Sequence, residues 1–482
     1  MIPSGYGHCA ASIRARMVRL RTLVAAVWVV LPVAGTLTTA TSPTARGVAE
    51  IPDATGTIDS TTALQSLIDG TPDGGLVRLQ PGGNYRVEGT LLLVNRHDLR
   101  IEGNGARIFA TTVGDGSRAH LRIVGGSGLR VRNLQIRGAN PYAGLDDRGY
   151  VEELVGQHGI RLEGATDVEL GGIEVSDVFG DFVYMGRDEN HRWTERVWIH
   201  DSTFIRSGRQ GLTVTAGRDV VIERNTITDV RMGSIDLEPH PSLGAENIHI
   251  LDNHIGPARL LVLAATGDGR VNTVVVQRNV LRGDHFTFWV IPPRTERRHS
   301  FWVIDNDSDT PATRPPLQFT RVDGVVVAGN RQPVTRPGEA LVQAVESCGV
   351  WVGANDTAPG TRALSASGQA CRFDLPLDPP EPPAVAGRGE QRRVPAPTTA
   401  PTTEAPPTTP TTVAPTTAAP TTTTSTPPTT QTTTRPGATL EAASAGRGGG
   451  ADSTWIVVAV VVVVLVAIGA VVAMLSARRG RP

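Results

Sequence analysis

Two acidic residues stand two apart in the segment GSIDLEPH (233–240), Asp236 and Glu238. If the segment is a strand, Ile235 and Leu237 face one side and both carboxylates face the other. Groups at i and i+2 on one face lie about 7 Å apart. That separation falls in the ~6.5–9.5 Å range of inverting glycoside hydrolysis rather than the ~5 Å of retention. Adjacent carboxylates also raise one another's pKa, which a general acid needs. One repeat earlier, Arg209 and Gln210 lead into GLTVTA (211–216), with Thr213 and Thr215 facing outward. A repeat before that, Asp177 and Asp181 precede an outward Tyr184. His158 leads into the strand carrying outward Arg161 and Glu163. Asp236 and Glu238 are thus the expected acid/base pair, with Asp177 or Asp181 assisting. Arg209 and Arg231 are placed to grip a sugar carboxylate bidentately. Gln210, His240, Tyr184 and His158 are the expected ligand contacts. The competing reading makes these groups solvated face residues, turn caps and ion pairs.

Composition narrows the chemistry. The chain has 482 residues, and its 46 basic residues are all arginine, against 47 acidic ones. Without lysine there is no Schiff-base, pyridoxal or P-loop lysine chemistry. A net charge of -1 argues against a generally basic nucleic-acid binder. The 53 glycines and 4% aromatic content suit a turn-dense β protein.

The elements that must position the acidic pair repeat. VVIERNTI (220–227), IHILDNHI (248–255) and VVVQRNVL (274–281) share a β-branched alternation ending in Asn. VVVAGN (325–330) and VWVGAN (350–355) match its first part. Asn225, Asn253, Asn279, Asn330 and Asn355 form one column, with Ser202 and Asp307 aligned to it, at spacings of ~25 residues. Such a period predicts a solenoid in which each coil stacks a strand on the next at ~4.8 Å. The Asn column is expected to be structural: left-handed geometry at each bend, and an Asn ladder along the axis. About eleven coils are expected. A helix over 61–70 should cover the first coil, with Thr62 and Gln65 as a capping box.

The opening IDSTTALQSLIDGTPDGGLVRLQPGGNYRVEGTLLL (58–93), followed by these repeats, resembles the pectate-lyase superfamily and polygalacturonase-related proteins. The resemblance covers roughly 50–375. It implies a right-handed parallel β-helix of all-β class, with a site on the outer face of one stacked sheet. It does not select a reaction. The polygalacturonase pattern needs a Gly-His-Gly and an Arg-Ile-Lys, whereas this chain has QHG (157–159) and no lysine; its Asp146-Asp147 pair falls in a loop. A calcium-type lyase site could be composed from Asp177, Asp181, Asp236 and Glu238, so Ca²⁺ is a candidate cofactor without a supporting ligand spacing. The epimerase Asp-Pro-His strand has only a partial echo in LEPH (237–240). LLVLAA (260–265) and FTFWVI (286–291) are apolar and should bound the cleft, with Phe288 or Trp289 stacking a sugar.

The flanks read as addressing. Residues 1–45 carry arginines and a 13-residue apolar run (23–35), as a secretory signal does. The head is expected over 46–385. A Pro/Thr-rich tract fits a disordered stalk over 386–454. Residues 455–475 are long and apolar enough to cross a bilayer, and Arg478, Arg479 and Arg481 place the basic tail, 476–482, inside. The chain is thus expected to be a single-pass membrane protein with an extracellular head. Cys348 and Cys371 are then expected to form a disulfide in an oxidising compartment. The function classes in view are an enzyme on an acidic polysaccharide, a non-catalytic glycan-binding or adhesive module, and a ligand-free envelope protein. The partner common to the first two is a polysaccharide.

Overall fold

The computed structural model describes residues 51–388 apart from 283–286, 293–295, 313–314, 334–337 and 369–370. The expected signal, the membrane-crossing segment, the basic tail and all but the first three residues of the stalk lie outside the described residues. Among the described residues no helix is long and apolar enough to cross a membrane.

The strands form three parallel sheets, of 11, 9 and 11 strands, in which each strand pairs with the equivalent strand of neighbouring coils. The first sheet runs from Leu76–Arg78 to Cys348–Val352, the second from Asn84–Arg86 to Asp307–Ser308, and the third from Leu91–Val94 to Arg362–Ser367. This is a parallel β-helix of about eleven coils, as the period predicts. Alternation decides which residues face the core: Leu212, Ile235 and Leu263 stack inward in register and are buried. No coil buries its apolar face alone, so one cluster extends from Leu64 to Val342.

The Asn column is a hydrogen-bonded ladder with one member shifted. Asn279 Nδ2 donates to Asn306 Oδ1 at 2.9 Å, and Asn306 Nδ2 donates to Asn330 Oδ1 at 2.9 Å. Asn306, not Asp307, therefore holds the position. Asp307 is instead in a strand of the second sheet, bonded to Arg282 and Arg331. Left-handed geometry also falls one residue before the expected place, at Asp201, Arg224, Asp252, Arg278 and Asp305. Two pairs of them bond across coils, Arg224 Nε with Asp201 at 2.8 Å and Arg278 Nε with Asp252 at 2.7 Å. The Asn side chains turn inward, where each amide satisfies the buried bend of the preceding coil.

The helix Thr61–Gly70 covers the first coil, with Ala63, Leu64 and Ile68 buried. The capping box does not form. Ser60 is the N-cap and makes no side-chain cap bond. Gln65 works elsewhere: its amide accepts from Leu92 N–H at 2.8 Å and donates to Leu92 C=O at 2.9 Å. A side-chain amide thus pairs the edge of the third sheet.

Cys348 and Cys371 form a disulfide. Beyond it the chain turns back along the outer face of the first sheet. Phe373 packs against Gly324 and Gly349, Trp302 Nε1 donates to Pro376 C=O at 3.0 Å, and Val385 joins Trp198 and Val221 in a second apolar cluster. Arg388 closes this strap on Glu223 with bonds of 3.1 and 3.0 Å. Residues 386–388, placed by the sequence in the stalk, belong to this strap.

Candidate functional site

The third sheet presents one outward column of side chains in register: Arg122, Arg161, Tyr184, Thr213, Asp236, Ala264 and Trp289. Successive members are one coil apart, about 4.8 Å. Five consecutive coils, Arg122 to Asp236, place polar groups here, one more than the alternation predicts. Close stacking at its centre depends on Gly211, where a Cβ would sit 2.2 Å from Ser234 O.

Asp181 is fully buried and takes Arg209 Nη1 on both oxygens, at 3.0 and 2.8 Å. It also accepts Gln210 N–H at 3.1 Å. Arg209 Nη2 reaches on to Glu238 at 3.1 Å. Gln210 bridges backbone and site: its Oε1 accepts Gly233 N–H at 2.7 Å and its Nε2 donates to Asp236 Oδ2 at 2.9 Å. His158 Nδ1 accepts Asp181 N–H at 3.1 Å, so that nitrogen carries no proton. Burial pushes the His158 imidazole down to about 4, against the pull of Asp181. His158 stacks on Tyr184 at 4.8 Å, and Thr215 donates to the Tyr184 phenol oxygen at 2.9 Å. Thr213 Oγ1 is buried without a hydrogen-bond partner.

Asp236 sits at the buried centre of this cluster. Only 2% of it is exposed. Burial and the neighbouring Glu238 carboxylate push its carboxyl well above the usual range, with Arg209 opposing, and a side-chain hydrogen bond joins it to Glu238. The side chain of Glu238 is 23% exposed. One member of the pair is buried and the other reaches the surface. The expected separation of about 7 Å is overturned. The side-chain hydrogen bond draws Glu238 to Asp236 even though Glu238 N–H still donates to Val214 C=O in the sheet ladder at 3.0 Å.

Other expected contacts separate from this group. Asp177 lies in a strand of the second sheet, where it takes Arg206 at 2.6 Å and Arg137 at 3.1 Å across neighbouring coils. Arg231 donates to Asp147, in the long turn before the third-sheet strand Ile160–Glu163, at 3.3 Å. Arg209 is bound by Asp181 and Glu238 rather than held open as a carboxylate clamp. His240 is exposed in the turn after the pair. Phe288 is buried inward, whereas Trp289 is outward and half-buried. Among the described residues no group of three His, Cys, Asp or Glu is arranged to hold a metal. Within the acidic cluster, the Arg209 guanidinium lies between Asp181 and Glu238, where a cation would need to lie.

Arg122, absent from the expected set, donates to Glu163 at 2.7 Å, and Arg161 donates to the same carboxylate at 2.6 Å. The signal was available: LRIV (121–124) and IRLE (160–163) align with both arginines outward.

No family model matches the chain, and no curated protein matches it. Among solved structures it is similar to the surface protein and adhesin PfbA of Streptococcus pneumoniae, at 12% identity over 65% of this chain and 97% of that one, with a TM-score of 0.44. It is also similar to a family 28 exopolygalacturonase of Yersinia enterocolitica, at 11% identity, 64% and 77% coverage and a TM-score of 0.43. An alginate lyase from Paenibacillus matches at 15% identity, 64% and 96% coverage and a TM-score of 0.38. At these identities and scores the likenesses assign no family and no activity.

Proposed function

We propose that the outward column of the third sheet is an acid–base site for a polysaccharide. The observation that carries this reading is the hydrogen-bonded pair of Asp236, buried and with its carboxyl pushed up by that burial and by Glu238, and the partly exposed Glu238. A neutral buried carboxyl next to an accessible carboxylate supplies a donor and an acceptor at one place on a rigid strand. Arg209, gripped by Asp181, reaches Glu238, and Gln210 donates to Asp236, so the two hold the pair in position. The two carboxyls are too close to straddle a glycosidic bond, since even the retaining arrangement leaves ~5 Å between them. They act together, on one face of the sugar, as a single proton donor and acceptor.

The column suits an extended chain lying along the rod. Ala264 leaves the sheet low between Asp236 and Trp289, which are two coils or about 10 Å apart. Towards the N-terminus, Arg122 and Arg161 share the single carboxylate of Glu163, leaving a net positive charge for an acidic sugar. A non-catalytic glycan-binding role is the second reading, favoured by how little of Asp236 reaches the surface.

The purified full chain, incubated with neutral and acidic polysaccharides with and without Ca²⁺, tests both readings by mass spectrometry of soluble products. Turnover that falls by about 10²-fold or more in Asp236→Asn and in Glu238→Gln is expected. Undiminished turnover in both variants would place the chemistry elsewhere. Retained binding to one polysaccharide with no product from any would favour the second reading.

A further inference from the structure

The long turn 138–159, between the strands Gln135–Arg137 and Ile160–Glu163, carries His158 into the site and also forms a rim beside the third sheet. Gly180 N–H donates to Gln157 C=O at 2.9 Å and Gly144 N–H to Ser207 C=O at 3.0 Å, so the turn lies against the next two coils. Asp147 reaches two more. It takes Arg231 Nη2 at 3.3 Å and pairs with Arg259. Arg231 stands two residues before the strand Gly233–Leu237, which carries Asp236. Arg259 stands two residues before Leu261–Ala265, which carries Ala264.

Both guanidinium groups converge on one atom, Asp147 Oδ1. Arg259 Nη1 also donates to Leu145 C=O at 3.4 Å. The side chain of Asp147 is 72% exposed, whereas that of Arg231 is 16% exposed and its Nε is buried without a hydrogen-bond partner. Asp146, the adjacent acid, is held by Arg148 at 3.0 and 2.6 Å. Burial and the Arg259 cation push the Arg231 guanidinium below its usual range, with Asp147 and Asp146 opposing. Two cations thus share one exposed carboxylate, although each could give a carboxylate two parallel bonds. Exposed ion pairs add little to stability, so little is lost when another anion replaces Asp147.

We propose that Asp147 is an internal stand-in for a substrate carboxylate: Arg231 and Arg259 form a rim subsite for the carboxylate of a sugar acid, and the glycan displaces Asp147 from it. The inference rests on the third-sheet column being a glycan site, and it names that site's substrate class. The group already seated between the two arginines is a carboxylate, which sets the chemistry of what replaces it. A glycan lying along the rod points its ring substituents sideways, toward this rim. Gly233 is three residues, or about 10 Å, before Asp236. The subsite therefore serves a sugar at or beside the acidic pair. A neutral sugar has nothing to exchange for Asp147 and leaves the turn latched.

Titration calorimetry on the purified full chain tests this, with oligogalacturonate, oligomannuronate and their carboxyl-reduced neutral counterparts as probes. Asp147→Asn removes the internal competitor and should tighten an acidic probe at least about threefold, without tightening its neutral counterpart. Asp252→Asn, the same charge change on the first sheet, should leave both unchanged. Arg259→Gln should weaken the acidic probe at least about fivefold. The thermal unfolding transition should be retained in each variant. An affinity that Asp147→Asn lowers or leaves alone would make the ion pair a structural latch and overturn the inference. So would an equal gain for the neutral probe, or no binding of either acidic probe to Asp147→Asn. A sulfated oligosaccharide that binds more tightly than both acids, and gains in Asp147→Asn, would assign the rim to sulfate esters instead. The same titrations in Asp236→Asn keep the two readings apart. The gain should persist there; turnover that survives Asp236→Asn and Glu238→Gln sinks the acid–base pair alone, whereas turnover with no gain sinks the rim subsite alone.

Discussion

At the scale of single residues, Asp236 carries a sign that can be measured. Burial and Glu238 raise its folded pKa above the unfolded value, which is near 4. The neutral form therefore stabilises the fold fully below about pH 4, and that contribution is lost as pH rises through the folded pKa. Asp236→Asn keeps a neutral side chain, and an oxygen for Gln210, at every pH. The variant should match the parent in melting temperature at pH 4 and exceed it at pH 8, by calorimetry over that range. A parent that is more stable than the variant at pH 8 would show that Asp236 is ionised in the fold. The pair itself was legible in the sequence because alternation puts two acids on one face of GSIDLEPH. Its closeness was not, because it depends on how one Glu side chain turns. The pairing of Arg231 was hidden because its partner, Asp147, is 84 residues upstream.

At the scale of elements, the repeats fixed the strand positions well. A period near 25 leaves few ways to bury alternate β-branched residues, so the inward stack of Leu212, Ile235 and Leu263 follows directly. The column slipped by one residue at FWVIDND (301–307), where Asn306 and Asp307 are adjacent and only hydrogen bonding tells them apart. Asp177 slipped further. It takes a left-handed bend, φ 56°, inside the strand Glu174–Val178, and no alternation survives such a bend. The ladder also makes a quantitative expectation. Asn279 accepts Asn253 N–H at 3.0 Å and its Nδ2 at 2.9 Å, and donates to Ile250 C=O at 2.9 Å. Asn279→Ala orphans these buried groups, each at about 1–3 kcal/mol, so a loss of at least ~2 kcal/mol is expected in denaturant unfolding. A loss below 1 kcal/mol would mean that water fills the gap.

At the scale of the whole molecule, the sequence showed a rod but not what lies on it. The sequence reading divided the strap region, 371–388, between the head (to 385) and the stalk (from 386). Its docking comes from contacts that no local pattern encodes, such as Trp302 with Pro376 and Arg388 with Glu223. The disulfide was legible from cysteine parity; that it fastens the strap to the last coil was not.

That strap gives the rod a mechanical polarity. A pull on the chain beyond Arg388 does not load the coils end-on. It first opens the Arg388–Glu223 pair and then lifts Val385, Pro376 and Phe373 in turn, one weak attachment at a time. Peeling halts at Cys371, because the bond to Cys348 is covalent and the load passes into the final coil. The strap thus behaves as slack with a stop, able to lengthen under tension before any β-coil opens. Force spectroscopy through the C-terminal side should show a low-force extension preceding the rupture of the coils. Reductant should remove the stop, and an unchanged trace in reductant would show that the load bypasses the disulfide.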